Sequence, residues 1–580
     1  MEAFGAISEF LQTDGAKIAE IFRMIWRYAA PILALMILWR CIRPLLRFKR
    51  EPETWAWLVM PDGQQLPVTH WESIIGRAKR SDIIVNFPTV SRSHAVLTRF
   101  DDGSWSLTDI GSRGAVTVNG KQVSVCALNY GDVIGLGGVE MRLAAVTAEE
   151  MEEQAYNRTR PNEVTMPALT LFLLTLFQIF TIVQIWTTCD SADAATVFLA
   201  YCMLMALQWG VLLTLRLMRR SGFEAETIAF FLITIGLAVI STTAPSAMIK
   251  QLVCVFGGVV IYLLISWSLR DLSRAKVVRY MVAVGGVLLL MVNLVIGQEI
   301  NGAKNWIAIG PMSFQPSELV KLCFIFVGAS TMDRIVTKRN LIAFIAYSVL
   351  ICGCLALMKD FGAALIFFVT FLVIAFMRSG SFATVALAIM SLVFAVIVLL
   401  LYFKDYSGYI QRRFSVWGNV WEDPYNMGYQ QVRAMMCLAS GGLLGLGAGN
   451  GWLHHVAAAD TDLVFALVGE EWGLLIALLC VLAIISLAIF VFRSCVVARS
   501  SFYTIAACAA ATVLMMQSIL NVFGTMDLLP LTGVTLPFVS NGGSSMLCCW
   551  GLLGFIKSVD TRQNASVAVK MVKVEEVEYE

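Results

Sequence analysis

The sequence predicts a polytopic α-helical membrane protein with a small all-β domain inserted near its N-terminus. Three observations carry that prediction. Of the 580 residues, 58% are hydrophobic and 14% charged, and the mean hydropathy is +0.74, whereas a soluble domain is about a quarter charged. Apolar runs long enough to cross a bilayer recur along most of the chain. Between residues 51 and 160 they stop, and short alternating stretches such as "SDIIVNF", "HAVLTRF" and "SWSLTDI" replace them, the pattern of antiparallel strands. The net charge of +2 carries little, because the charges are segregated along the chain. Nothing in their distribution calls for nucleic acid.

The elements follow in order. An apolar segment from about Met24 to Leu46 lacks a small-residue cleavage site, so it reads as an anchor rather than a cleaved signal. Arg47, Lys49 and Arg50 then place its C-terminal flank in the cytoplasm, and the β domain stays there with it. Further spans are expected near 166–186, 194–218, 225–243, 248–268, 278–297, 316–333, 340–358, 361–377, 382–403, 461–493, 501–525 and 533–557. With that order, the clusters at Arg216/Arg219/Arg220, Arg270/Arg274/Lys276/Arg279, Arg334/Lys338/Arg339 and Arg493/Arg499 all land inside. The expected division is an anchor over 1–50, a cytoplasmic β domain over 51–150, two extra membrane helices within 151–223, a membrane core over 224–560 and a cytoplasmic tail over 561–580. The 14 cysteines show no metal-ligand spacing and read as packing thiols.

Two long segments, Gln298–Gln315 and Lys404 to about Thr461, then face outside and hold most of the polar chemistry. Beside them Glu318 and Lys321 lie one turn apart, Asp360 interrupts "LMKDFGAAL", and Asp462 opens a long apolar run ahead of Glu470 and Glu471. Ionisable groups at a membrane are costly, so each is a functional candidate. Glu318 and Lys321 read equally well as an i,i+3 ion pair. Asp462 has no cation near it in sequence, although Arg412 or Arg413 could reach it in space. "SGGLLGLGAGNG" lacks the Lys-Ser/Thr of a P-loop, and glycines also serve close helix contacts. His454 and His455 are expected to point apart as exposed loop residues rather than to bind metal together.

"NGAKNWIAIG…QPSELVK", "GYQ…ASGGLLGLGAGNG", "TDLVFALVGEEWGLL" and "GVTLPFVSNGGSSML" resemble, in order and spacing, the signature blocks of the FtsW/RodA/SpoVE (SEDS) family, over about Glu224–Lys557. That resemblance implies a ten-span SEDS core, here with about three extra N-terminal spans. It implies a bacterial plasma-membrane enzyme that polymerises lipid II into peptidoglycan beside a class B penicillin-binding protein, in division, elongation or sporulation. Asp462 matches the family's essential outer-face carboxylate, Glu318 the glutamate of "QPSE" and Asp360 the aspartate of "PDLG". Three positions depart from the pattern: Lys359 stands for a proline, Asp460 where histidine is common, and Asp527 where small residues are usual. The reaction joins a sugar hydroxyl to an anomeric carbon and expels a lipid pyrophosphate. A carboxylate suffices as general base, hence Asp462. The pyrophosphate needs cations, from Lys304, Lys321, Arg412, Arg413 or a divalent metal such as Mg or Mn, the one cofactor considered. Trp306 and Gln430, with Glu318 and Asp360, complete the expected substrate-binding set, and the lipid tails require a site open to membrane lipids.

The β domain has its own resemblance. "IIGRAKRSDIIVNFPTVSRSHAVL…SLTDIGSRGAVTVNG…LNYGDVIGLGG", over about 55–145, is similar to forkhead-associated (FHA) domains, which read phosphothreonine. It implies an all-β sandwich that binds a threonine-phosphorylated protein through Arg77, Ser91, Arg92, Ser112 and Arg113, with His94 holding the loop. The family's asparagine is Gly114 here, so Gly114→Asn is expected to strengthen binding. Two other functions suit the same features: a lipid II flippase, and a non-catalytic membrane scaffold for phosphorylated division proteins.

Overall fold

The structure is a computed structural model and describes residues 2–47, 52–79, 81–100, 103–159, 166–188, 191–218, 220, 222–270, 272–300, 303–309, 312–332, 338–379, 382–402 and 414–560. Helix α1 runs from Glu2 to Arg47, longer than the expected anchor, with Pro31 and Pro44 inside it. Its apolar part, Glu20–Leu46, is the stretch able to span a membrane.

The β domain follows as two sheets. One has the order β2 (Gln65–Val68), β1 (Ala56–Val59), β11 (Val139–Ala144), β10 (Val133–Leu136), β7 (Val116–Val118), β8 (Lys121–Gln122). The other runs β4 (Ile83–Ile84), β3 (Glu72–Gly76), β5 (Ala95–Arg99), β6 (Trp105–Asp109), β9 (Val125–Leu128). Neighbours are antiparallel except β3 and β4. Alternating residues turn inward, and Leu58, Ile75, Leu97, Leu107, Ile134 and Leu143 are completely buried in a core of the domain's own. Helix α2 (Ala148–Thr159) then starts on a reciprocal cap. Glu150 N donates to Thr147 Oγ1 at 3.3 Å and Thr147 N to Glu150 Oε2 at 3.0 Å.

The membrane body contains α3 (Pro167–Trp186), α4 (Ser191–Leu217), α5 (Glu224–Thr243), α6 (Met248–Ser268), α7 (Leu272–Ile296), α8 (Pro316–Met332), α9 (Lys338–Leu357), α10 (Phe361–Ser379) and α11 (Phe382–Tyr402). After α12 (Tyr429–Gly441) and α13 (Val464–Glu471) come α14 (Leu474–Cys495), α15 (Ser501–Thr525) and α16 (Gly543–Ser558). Among the described residues ten helices are long and apolar enough to cross a membrane, and α8, α11 and α16 are apolar helices that complete the bundle. Two expected spans are redrawn. The run 461–493 breaks at Gly473, whose φ of +89° ends α13 and starts α14 in a new direction. The run 533–557 is irregular until Gly543.

The three N-terminal membrane helices are part of the body. Helix α1 lies against α3, α5 and α14, and Trp26 meets Phe177 and Phe180 at 5.4 and 5.1 Å between centroids. Gln178 and Gln208 exchange amide hydrogen bonds at 3.0 and 2.9 Å, and Gln178 also donates to Thr234 of α5 at 2.9 Å. Polar groups inside a membrane must satisfy one another, so this network clips α3 and α4 to α5. Helix α5 is buried along nearly its whole length. At one end of the bundle the loop between α14 and α15 carries the β domain; this is the near end.

Candidate functional site

At the far end, Asp462 sits in the turn that precedes α13, where its N–H donates to Ala458 O at 3.0 Å. The Asp462 carbonyl accepts from Asn521 Nδ2 at 3.0 Å and from Thr525 Oγ1 at 3.5 Å, both in the last turns of α15. Asn521 Nδ2 also donates to Val534 O at 2.8 Å, so one amide ties the turn to the irregular segment before α16. That segment grips the turn along its length. Ser540 Oγ donates to Thr461 O at 2.6 Å, and Asn541 donates from its backbone N to Asp460 O at 2.8 Å and from Nδ2 to Asp460 Oδ2 at 2.7 Å. A side-chain carbon on Gly533 would lie 3.3 Å from Asp462 Oδ2, so this glycine leaves the carboxylate its space.

The same segment touches a second carboxylate's surroundings. The Cβ position of Gly362 lies 3.1 Å from Thr532 Cβ and 3.2 Å from Val534 Cγ2. Just before it Asp360 caps α10, accepting from Ala363 N at 3.1 Å, and receives Asn305 Nδ2 at 3.3 Å and Gln315 Nε2 at 3.2 Å. The stretch expected to be a loop is an antiparallel ribbon: β12 (Gln298–Ile300), β13 (Ala303–Ile309) and β14 (Met312–Phe314). Trp306 on β13 pairs with Gln298, and Lys304 is fixed by Met358 O at 3.0 Å from its N–H and Val295 O at 3.2 Å from Nζ. Gln430 Nε2 donates to Ala457 O at 3.0 Å, tying α12 to the Asp462 turn. Asp527 accepts from Gly418 N at 3.1 Å. Arg412 and Arg413 lie outside the described residues.

Glu318 and Lys321 form an ion pair at 2.6 Å with side chains 8% and 2% exposed. Both charges are spent on each other, so Lys321 is an internal tie and not an open cation. Glu470 is likewise engaged, accepting from Trp452 N and Leu453 N at 2.8 and 2.9 Å, while Glu471 accepts from Thr242 Oγ1 at 3.1 Å. The His454 and His455 rings do not point apart: they are tilted at 36° to each other with centroids 3.9 Å apart. The short helical turn Leu453–His455 brings them together. Burial, then the neighbouring ring, holds His454 below the ordinary histidine value. Among the described residues no three His, Cys, Asp or Glu side chains are grouped to hold a metal ion. Asp460 lends one oxygen to Asn541, and Asp360 lends its two oxygens to Asn305, Gln315 and the Ala363 amide. Asn305, Gln315, Asn521, Ser540 and Asn541 are the site residues that sequence reasoning missed. Their one signal was a neutral polar side chain next to an apolar run.

In the β domain the loops at one end of β3 and β5 converge. Arg77 N donates to Ser91 O and Ala78 N to Arg92 O, each at 3.0 Å, and Arg113 N reaches Ser91 Oγ at 3.0 Å. Ser112 N donates to Asp109 Oδ1 at 3.0 Å and its hydroxyl to Gly114 O. Arg77, Ser91, Arg92, Ser112 and Arg113 therefore share one surface. His94 is completely buried behind it. Its Nδ1 accepts from Ser91 N at 3.0 Å, and burial holds the ring below its ordinary value. Gly114 is closely packed. A Cβ there would lie 3.0 Å from Gly137 Cα, 3.1 Å from His94 Cε1 and 3.3 Å from Thr89 O, so asparagine requires these neighbours to give by a few tenths of an ångström.

A helical membrane body with a carboxylate turn at one end and a β-sandwich at the other defines an integral membrane enzyme joined to a recognition domain. The FtsW/RodA/SpoVE family model, described as cell cycle protein, matches residues 228–565, more than half of the chain, and an FHA domain model matches 73–137. The chain belongs to the FtsW/RodA/SpoVE family and carries an FHA domain. It is 31% identical over 335 residues to the peptidoglycan glycosyltransferase RodA of Mycobacterium tuberculosis, covering 54% of this chain and 70% of that protein. To the probable peptidoglycan glycosyltransferase FtsW of Escherichia coli it is 33% identical over 273 residues, covering 45% and 65%. The crystal structure of RodA from Thermus thermophilus aligns with 58% of this chain and 94% of its own, at 23% identity and a TM-score of 0.43.

Proposed function

We propose that this chain polymerises lipid II into glycan strands at the outer face of the bacterial plasma membrane, with Asp462 as general base. Family membership makes it a peptidoglycan glycosyltransferase; the substrate, the face and the residue roles are the proposal. One observation carries it. Asp462 is held by its backbone through Asn521 and Thr525, while Gly533 leaves room at its carboxylate. A base needs such a fixed position. Asp462 takes the proton of the acceptor sugar hydroxyl as its oxygen bonds to the anomeric carbon of the second lipid-linked sugar. The bond to the pyrophosphate breaks, and the leaving group carries off the electron pair. Lys304, Arg412 and Arg413 are the cations assigned to that charge. Asp360, Trp306 and Gln430 shape the acceptor side, and the Glu318–Lys321 pair supports them from within.

The β domain then lies in the cytoplasm, on the arginine-rich side, and Arg77, Ser91, Arg92, Ser112 and Arg113 bind a threonine-phosphorylated protein. A class B penicillin-binding protein is the expected partner at the outer face. The functional division follows the units 1–50, 51–150, 151–223, 224–560 and 561–580. Asp462→Asn tests the catalytic assignment, because it removes the base with almost no change in volume. Polymerisation by the purified variant should fall by about 100- to 10,000-fold with normal membrane insertion. Full activity would sink the assignment.

A further inference from the structure

The β domain is seated on the membrane body through the end of its sheets opposite the Arg77 loops. Trp71 N donates to Arg499 O at 2.9 Å and His70 Nδ1 to Ala498 O at 3.0 Å. Arg499 reaches Glu53 Oε1 at 3.5 Å, its side chain only 18% exposed, and its guanidinium lies 5.7 Å from the Trp55 ring centroid. Glu72, the first residue of β3, accepts from Ser501 N at 3.3 Å and from the Ser501 hydroxyl, and Ser500 Oγ lies 3.5 Å from its other oxygen. Ser500 itself caps the helix, accepting from Phe502 N at 3.3 Å. A carboxylate of one domain thus sits on the N-terminus of a helix of the other, where the exposed N–H groups and the helix dipole favour an anion. The charge matches more widely. Burial first, then Arg270 and Arg499, holds the Arg220 guanidinium down at about 10, so three arginines converge on the side where Glu53 and Glu72 descend.

Helix α15 is what makes this seat consequential. It is one uninterrupted helix of 25 residues, about 36 Å long at 1.5 Å per residue. Its first turn is held by Glu72, and its last turns hold the Asp462 carbonyl through Asn521 and Thr525. A packed helix moves as a unit, so the placement of its start is transmitted to its end. We propose that the FHA domain is a positioning element of the membrane site: through Glu72 it fixes α15, and through α15 the Asp462 turn. Glu72 is then a positioning residue some tens of ångströms from the chemistry, and the FHA domain has a fixed seat rather than a tether. The proposal rests on the Asp462 assignment for its effect on rate, but not for its effect on the turn itself.

The test uses the full chain in lipid nanodiscs and two readouts. Hydrogen exchange is followed at residues 501–504 and 458–463 in wild type, Glu72→Gln, Arg499→Ala and Glu72→Asp, and glycan polymerisation is measured in parallel. Glu72→Gln and Arg499→Ala should raise exchange at 501–504 by roughly 5- to 30-fold, the factor that corresponds to losing a helix cap. They should also raise exchange at 458–463 and lower kcat at unchanged KM, and Glu72→Asp should restore both. Unchanged exchange at 458–463 in well-folded Glu72→Gln or Arg499→Ala protein would overturn the proposal. Faster exchange there without a change in kcat would support the link while indicating that Asp462 is not the base.

Discussion

At the scale of single residues, the β domain shows how a missing side chain is a steric fact rather than a lost contact. Gly114 lies between Gly137 and the buried His94 ring. Gly114→Asn should therefore destabilise the domain by about 1–3 kcal/mol, the ordinary cost of overpacking. Phosphopeptide binding should weaken with it; thermal unfolding and calorimetry would show both, and tighter binding would refute the packing argument. His94 supplies a pH dependence. Its pKa is lowered from 6.5 by burial, so the folded domain prefers the neutral ring while the unfolded chain binds the proton first. Its contribution to stability is intact above 6.5 and is lost as pH falls through the lowered folded value. The denaturation midpoint, followed by Trp105 fluorescence, should drop as pH falls below 6.5. A flat midpoint across that range would mean the ring titrates in the folded state as it does in solution.

At the scale of elements, α8 carries the Glu318–Lys321 pair, and its burial separates two roles that the residue types alone do not. Breaking a buried pair on one side leaves a bare charge and costs about 3–5 kcal/mol, whereas replacing both partners with apolar residues of similar size is often neutral. Glu318→Gln should thus lower stability and activity together. The double variant Glu318→Leu with Lys321→Met should recover stability, as a detergent melting curve would report. If it also recovers polymerisation, the pair is a tie within the bundle. If stability returns and activity does not, Glu318 or Lys321 contributes to substrate handling directly.

At the scale of the whole molecule, the three N-terminal membrane helices are a layer of the body. Gln178, Gln208 and Thr234 pair across it, and Phe177 packs on Phe231 at 5.8 Å between centroids. Removing residues 1–220 would expose those polar and aromatic faces of α5 and the side of α14 that α1 covers. The remaining core, 221–580, should melt at lower temperature and lose polymerisation even though the family blocks are intact. A truncated protein with unchanged melting and activity would show that the layer serves only to carry the β domain.

Composition, alternation and the arginine pattern were enough to determine a multi-pass helical body with a β-sandwich inserted near its start, because apolar length and period two are local properties of the chain. The motif blocks likewise named Asp462, Asp360 and the Arg77 set, since the types of residue that do such chemistry are few. What only the tertiary structure decided concerns pairing. Lys321 belongs to Glu318, Asp360 caps α10 between Asn305 and Gln315, and the His454 ring lies against that of His455. Glu72 meets Ser501 across 429 positions of sequence, and Asn521 meets Asp462 across 59. Hydrogen bonds and ion pairs act over about 3 Å, and which groups come that close is fixed by how helices cross, a property no stretch of sequence carries by itself.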